Sequence, residues 1–199
     1  MTKKNIKTQR DRLLSLVQGS VIAAIYLVAT FLTSAISFGM VQFRISEALA
    51  ALAILFPSAP GGLFVGCLLA NLLNPASLGI IDILGGSLAT GLAALLTYRL
   101  GARYRIKLRK FYQSKKSSDR PEMILRLIPL LSPVICNALI VGIYLPFILQ
   151  GPRPTLAVVL LTMLSIFISQ LIAVYALGLP LLLALERSPA ASDAVKHEV

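Results

Sequence analysis

Five stretches of this chain, residues 13–43, 48–81, 83–98, 127–152 and 154–185, contain no Asp, Glu, Lys or Arg. A soluble domain is about a quarter charged, whereas this 199-residue chain is 57% hydrophobic and only 14% charged. A helix needs about 20 apolar residues to cross a hydrocarbon core about 30 Å thick, so the longest stretches hold one tilted helix or two short ones. A β-barrel would show segments of about ten residues alternating apolar and polar, and "VIAAIYLVATFL" does not alternate. The fold class expected is therefore all-α, a polytopic membrane protein. The first apolar stretch follows a basic segment, as in a signal peptide. Its length and the four stretches behind it favour a retained helix.

The net charge of +11 is explained by where it sits. Lys3, Lys4, Lys7, Arg10 and Arg12 precede the first apolar stretch, and Arg103, Arg105, Lys107, Arg109, Lys110, Lys115, Lys116 and Arg120 fall between 101 and 121. Basic excess in short flanking loops marks the cytoplasmic side, and such loops attract anionic lipid headgroups. Tyr104, Phe111 and Tyr112 interleave the bases too thinly for a nucleic-acid surface. Cys67 and Cys136 lie in apolar stretches and read as small packing residues. The single histidine, His197, is in the tail, which leaves no histidine metal site and no Ser/His dyad within the apolar segments.

Pro, Gly and charge punctuation divides the chain into a basic segment 1–13, a membrane domain 14–186 and a tail 187–199. Six transmembrane helices are expected over 14–37, 46–56, 61–73, 80–100, 122–149 and 155–186. "FPSAPGG" separates the second and third, Asn74–Pro75 ends the third, and Pro133 should kink the fifth. An even count puts both termini and the basic 101–121 loop on one side, the cytoplasm. The plasma membrane is the expected location.

The polar residues then gather toward the opposite, outward side: Gln42, Arg44, Glu47, Asn71, Asn74 and Asp82, with Asn137 and Gln170 nearer mid-membrane. Ionisable groups inside a membrane are costly and point to function. Arg44 and Glu47, three residues apart, read either as an interfacial ion pair or as a binding carboxylate that an arginine keeps ionised and aimed. Asp82 is either the N-cap of the fourth helix or a second ligand carboxylate. Asn71 and Asn137 serve as interhelical glue or as ligand contacts. Gly19 with Ala23, and Ser20 with Ala24, are small pairs four apart that let another helix come close. The glycines of "GGSLATG" lack the following Lys of a phosphate loop, so no nucleotide site is expected.

The elements "QFRISEALAAL", "GGLFVGCLLANLL" and "IIDILGGSLATGLAALL" resemble the QueT family, the substrate-binding (S) components of energy-coupling factor transporters associated with queuosine precursors. The resemblance spans most of 15–185. It implies a six-helix S-component bundle that docks through its first helix on a membrane-embedded T component, with two cytoplasmic ATPases completing the importer. ATP is then used by the partners, and no cofactor or metal is expected in this chain. A deazaguanine such as preQ1 or queuine offers N–H and amino donors to one carboxylate, a charge-assisted bidentate contact, and a cationic amine to a second. Glu47 and Asp82 are the two, with Glu47 favoured for the base edge. Asn71 or Asn137 would meet the ring carbonyl, and Phe38, Phe43 or Tyr144 would stack on the ring. Ser20 stands where this docking face often has Ala. The rival reading is a stand-alone ion-coupled carrier for a small solute, which the lack of an internal repeat disfavours. An enzyme is not expected, for want of an intramembrane catalytic constellation.

Overall fold

The structure is a computed structural model that describes residues 3–34, 43–74, 78–114 and 120–196. Among them every regular element is helical: α1 (Lys3–Leu32), α2 (Ala59–Leu72), α3 (Ile80–Leu100), α4 (Ala102–Ser114), α5 (Met123–Gln150), α6 (Leu156–Leu171), α7 (Leu179–Leu185) and α8 (Pro189–Lys196). A 3₁₀ helix (Ile45–Ile54) lies between α1 and α2, and a π-helical segment (Ile172–Gly178) joins α6 to α7. Four stretches are long and apolar enough to cross a bilayer: Gln9–Leu32, Ile80–Leu100, Ile124–Gln150 and Leu156–Leu185. The 3₁₀ helix and α2 are apolar but shorter.

Leu84, Leu88, Leu92 and Leu95 line the outside of α3, and Ile128, Leu131, Ile135, Leu139 and Ile143 that of α5, while Arg44, Glu47, Asn71, Asp82 and Asn137 are buried. Large apolar side chains outside and ionisable ones inside are what a hydrocarbon solvent selects. Successive segments alternate in direction. The 3₁₀ helix runs antiparallel to α1, since Thr30 donates to Ser46 (2.7 Å) and Ser58 to Gln18 (3.3 Å). α2 then runs back beside α1 at backbone contact: a Cβ on Gly62 would sit 2.5 Å from the Gly19 carbonyl, and one on Gly66 2.9 Å from that of Ala23. This is the small-xxx-small packing that the sequence suggests. Gly19 and Ala23 are taken up by α2, whereas Ser20 and Ala24 remain exposed.

The 46–56 segment, expected as an α-helix, is instead 3₁₀ over Ile45–Ile54. The reason is visible in "EALAALAIL", residues 47–55, which repeats every three residues with Leu at 49, 52 and 55. Three residues per turn stacks identical positions, so the small Ala48 and Ala51 form a line. Gly178 of the π segment presses on that line; a Cβ there would lie 2.8 Å from the Ala48 carbonyl. A 3₁₀ rise of about 2.0 Å per residue carries ten residues about 20 Å, against about 15 Å for an α-helix. A short segment thus reaches from the level of Thr30 down to α4.

Within the basic 101–121 segment, expected as a loop, Ala102–Ser114 forms α4, and within the tail Pro189–Lys196 forms α8. Helical hydrogen bonding continues across Gly101, whose N–H donates to the Thr97 carbonyl (2.9 Å) while its own carbonyl accepts from Arg105 (3.0 Å). Arg105 is buried and donates to the carbonyls of Ile54 (3.0 Å) and Tyr98 (2.7 Å), with its guanidinium 4.0 Å from the Tyr98 ring centroid. One arginine thereby caps the ends of two helices, where carbonyls are orphaned and cations favoured. Nearby, Arg126 forks onto Glu186 (2.6 and 2.9 Å), which also accepts from Tyr104. Burial, and Glu186 beside it, push the Tyr104 phenol far above its ordinary range, which keeps it a donor.

α5 runs through Pro129, Pro133 and Pro146 as one helix. Pro133 has no N–H for the carbonyl four residues back, and that carbonyl, Pro129's, is met by the Thr97 hydroxyl (3.2 Å), which shares its one hydrogen with the Ala93 carbonyl (2.9 Å). A side chain from the neighbouring helix repairs the defect in the way apolar surroundings demand.

Arg105→Leu strips a donor from two buried carbonyls. We expect a stability loss of about 2–4 kcal/mol, with Arg105→Lys intermediate because it lacks the fork. Thermal unfolding of the detergent-solubilised protein reads both, and an unshifted midpoint for Arg105→Leu would rule the cap out.

Candidate functional site

Each helix facing the centre contributes polar or small residues at helical spacing: Tyr26 and Thr30 on α1, Cys67 and Asn71 on α2, Asp82, Gly86 and Thr90 on α3, Asn137 and Tyr144 on α5. Positions four or seven apart share a face, so these side chains point inward together. Glu47 is the hub. Its Oε1 accepts from the Tyr26 hydroxyl (2.6 Å) and the Thr90 hydroxyl (3.0 Å), and its Oε2 accepts from the Asn137 amide (3.3 Å). The carboxylate is 1% exposed, so these donors replace the water it has lost.

Arg44 stands at the N-cap of the 3₁₀ helix, and its carbonyl takes the first bond, from the Glu47 N–H (3.1 Å). Its guanidinium donates to the Asn71 side-chain oxygen (3.2 Å) and approaches the Cys67 sulfur (3.7 Å), while both carboxylates lie within its electrostatic reach. The hydrogen bonds that aim Glu47 therefore come from neutral donors, and Arg44 supplies a field and orients Asn71. Cys67, read from the sequence as packing, has its sulfur also within reach of Asn71 (3.6 Å) and Thr90 (3.5 Å). Thr30 extends the network by its bond to Ser46.

Asp82 is not a helix cap: the cap is Gly79, and Asp82 lies in the first turn of α3, where the helix dipole favours a carboxylate. Its Oδ1 accepts from the Tyr144 hydroxyl (2.9 Å). Gly86 ties this pair to the rest, because a Cβ there would touch Asn71 (3.0 Å), the Tyr144 hydroxyl (3.4 Å) and Arg44 (3.9 Å). From Asp82 to Thr90 the polar stripe runs about 12 Å along α3. Tyr144 also borders an apolar groove of about 540 Å³ with Leu78, Ile81, Ile143 and Phe147.

Arg44, Glu47, Asn71, Asp82 and Asn137 are thus gathered into one buried cluster, with the half-buried Tyr144 at its edge. Phe43 is half-buried just ahead of the 3₁₀ helix, and Gln42 and Phe38 lie outside the described residues. Tyr26, Thr30, Ser46 and Thr90 escaped the sequence reading, although Asp82, Gly86 and Thr90 at four-residue intervals carried the signal. Gln170 is buried apart, its side-chain oxygen without a hydrogen bond.

A polar network sealed inside an apolar bundle suits reversible capture of a hydrogen-bonding solute. The family model of the QueT transporter matches residues 16–187. The chain belongs to the QueT transporter family. As a member it is a multi-pass membrane transporter and not an enzyme. No curated protein and no solved structure matches it.

Tyr26→Phe and Thr90→Val each remove one donor from the buried carboxylate. Each is expected to cost about 1.5–3 kcal/mol, and the double variant should depart from additivity because both donors share Oε1. Equilibrium unfolding of the four proteins tests this; strictly additive, near-zero effects would exclude Glu47 as the hub.

Proposed function

We propose that this chain is the S component of an energy-coupling factor importer, with six membrane passes and a deazaguanine queuosine precursor such as preQ1 or queuine as cargo. The observation that carries the reading is a fully buried carboxylate, held by neutral exchangeable donors, inside a bundle of the QueT transporter family. A guanine-like edge presents an N–H and an amino group. These can take over the hydrogen bonds that Tyr26, Thr90 and Asn137 make to Glu47, and a bidentate, charge-assisted pair is stronger than those it displaces. Asp82, nearer the open groove, suits the cationic amine, and Tyr144 suits stacking. Asn71, aimed by Arg44, has an amide to offer the ring carbonyl.

The positive-inside rule sets the α1 N-terminus and α4 in the cytoplasm of a plasma-membrane protein, and leaves Asp82 toward the outside. In this reading the T component docks on the exposed Ser20–Ala24 side of α1, and two ATPases hydrolyse ATP. α2 already occupies Gly19 and Ala23, so the docking face is shifted around the helix from that pair.

Glu47→Gln and Asp82→Asn should each weaken preQ1 binding by at least about tenfold, the scale of one charged hydrogen bond. Calorimetry on the purified chain measures this, and unchanged affinity in both variants would sink the site. Ser20→Leu and Ala24→Leu should abolish cellular uptake and spare binding. Parallel loss of both activities would make that face internal packing.

A further inference from the structure

The cations at the basic end fall into two groups. Arg105 caps two helices, Arg109 donates to the Val195 carbonyl (2.9 Å), Lys107 pairs with Glu122 (2.5 Å), Arg126 pairs with Glu186, and Arg120 lies over the Phe111 ring. These are held by the fold itself. Arg10, Arg12, Arg99, Arg103, Lys110 and Arg187 are exposed and take part in none of those contacts, and of these Arg99, Arg103 and Lys110 lie together on α3 and α4.

Their spacing is regular. Arg103, Ile106 and Lys110 are separated by three and four residues on α4, and Arg99 lies in the last turn of α3, just ahead of Gly101. Such spacing puts the three α4 residues on one face, with Arg99 next to its start. Within and beside the stripe, Ile106 is 58% exposed and Leu100 52% exposed. The face is therefore cationic and apolar together, which suits the boundary between headgroups and acyl chains better than bulk water. Its position agrees, because Leu100 is the last residue of a membrane-length helix. Arginines at that depth keep their stems in hydrocarbon and reach headgroup phosphates, and the guanidinium fork matches phosphate oxygens.

We propose that Arg99, Arg103 and Lys110, with Ile106 between them, form a binding face for anionic phospholipid headgroups in the leaflet at the basic end. The occupant is a lipid phosphate in the bilayer. Charge complementarity and the interleaved apolar residues both select it over free phosphate, which has no use for Ile106 or Leu100. The proposal is independent of the cargo.

The test uses the full chain in bilayers of phosphatidylcholine containing spin-labelled phosphatidylglycerol or, separately, spin-labelled phosphatidylcholine. Electron spin resonance gives the relative association of each lipid with the protein. Each cation near an anionic surface is worth about fivefold. The wild type should therefore prefer phosphatidylglycerol, and Arg99→Gln/Arg103→Gln/Lys110→Gln should lose at least about tenfold of that preference. Arg99→Lys/Arg103→Lys should retain most of it. Because all these side chains are exposed, unchanged thermal unfolding should certify the variants as folded. Displacement of the labelled lipid by inorganic phosphate would overturn the proposal in favour of a free-anion site. A triple variant that keeps its lipid preference would overturn it as well, and loss of a co-purifying acidic protein in that variant would reassign the face to a protein partner.

Discussion

A carboxylate removed from water inside an apolar bundle must have its lost hydration replaced, and meeting that demand at Glu47 organises the protein. Desolvation of an unpaired carboxylate costs several kcal/mol, more than any single packing contact returns. Three donors on three helices, Tyr26 of α1, Thr90 of α3 and Asn137 of α5, converge on two oxygens, and Asn71 of α2 joins through Arg44. Those four helices cannot slide or rotate independently without stranding a charge. The apolar exterior, which meets hydrocarbon in any rotation, supplies no comparable registry.

The segment that bears Glu47 is held by geometry as much as by hydrogen bonds. Its α-helix-forming composition of Ala, Leu and Glu is overruled by a three-residue repeat that puts a smooth alanine line against Gly178. That contact joins two non-standard helices, 3₁₀ and π, and Arg105 fixes the far end of the first. Relaxing Ile45–Ile54 to an α-helix would change the advance from about 120° to about 100° per residue. Over seven residues, the accumulated rotation would carry Glu47 away from Tyr26 and Thr90.

Much of this was legible in the chain and some was not, for identifiable reasons. The all-helical class followed from uninterrupted apolar stretches, and the buried status of Glu47, Asp82, Asn71 and Asn137 followed from polar residues stranded within them. α3 begins and ends where Gly79 and Gly101 punctuate it. The 3₁₀ helix is hard to read because ten such residues are uncommon, although the sequence carries a period of three. α4 reads as a loop because its charges mask an inner face of Tyr104, Arg105 and Leu108 that is buried. Pairing Arg44 with Glu47 followed sequence proximity, but Asn71, 27 positions away, takes the guanidinium. Tyr26 and Thr90 do not stand out in the sequence, because a lone hydroxyl in an apolar helix carries no signal until a distant carboxylate requires it.

The central network also bears on how a solute comes and goes. Among the described residues, the polar side chains around Glu47 bond to one another. An arriving solute must therefore exchange one set of hydrogen bonds for another, and when it leaves the same donors can return to the carboxylate.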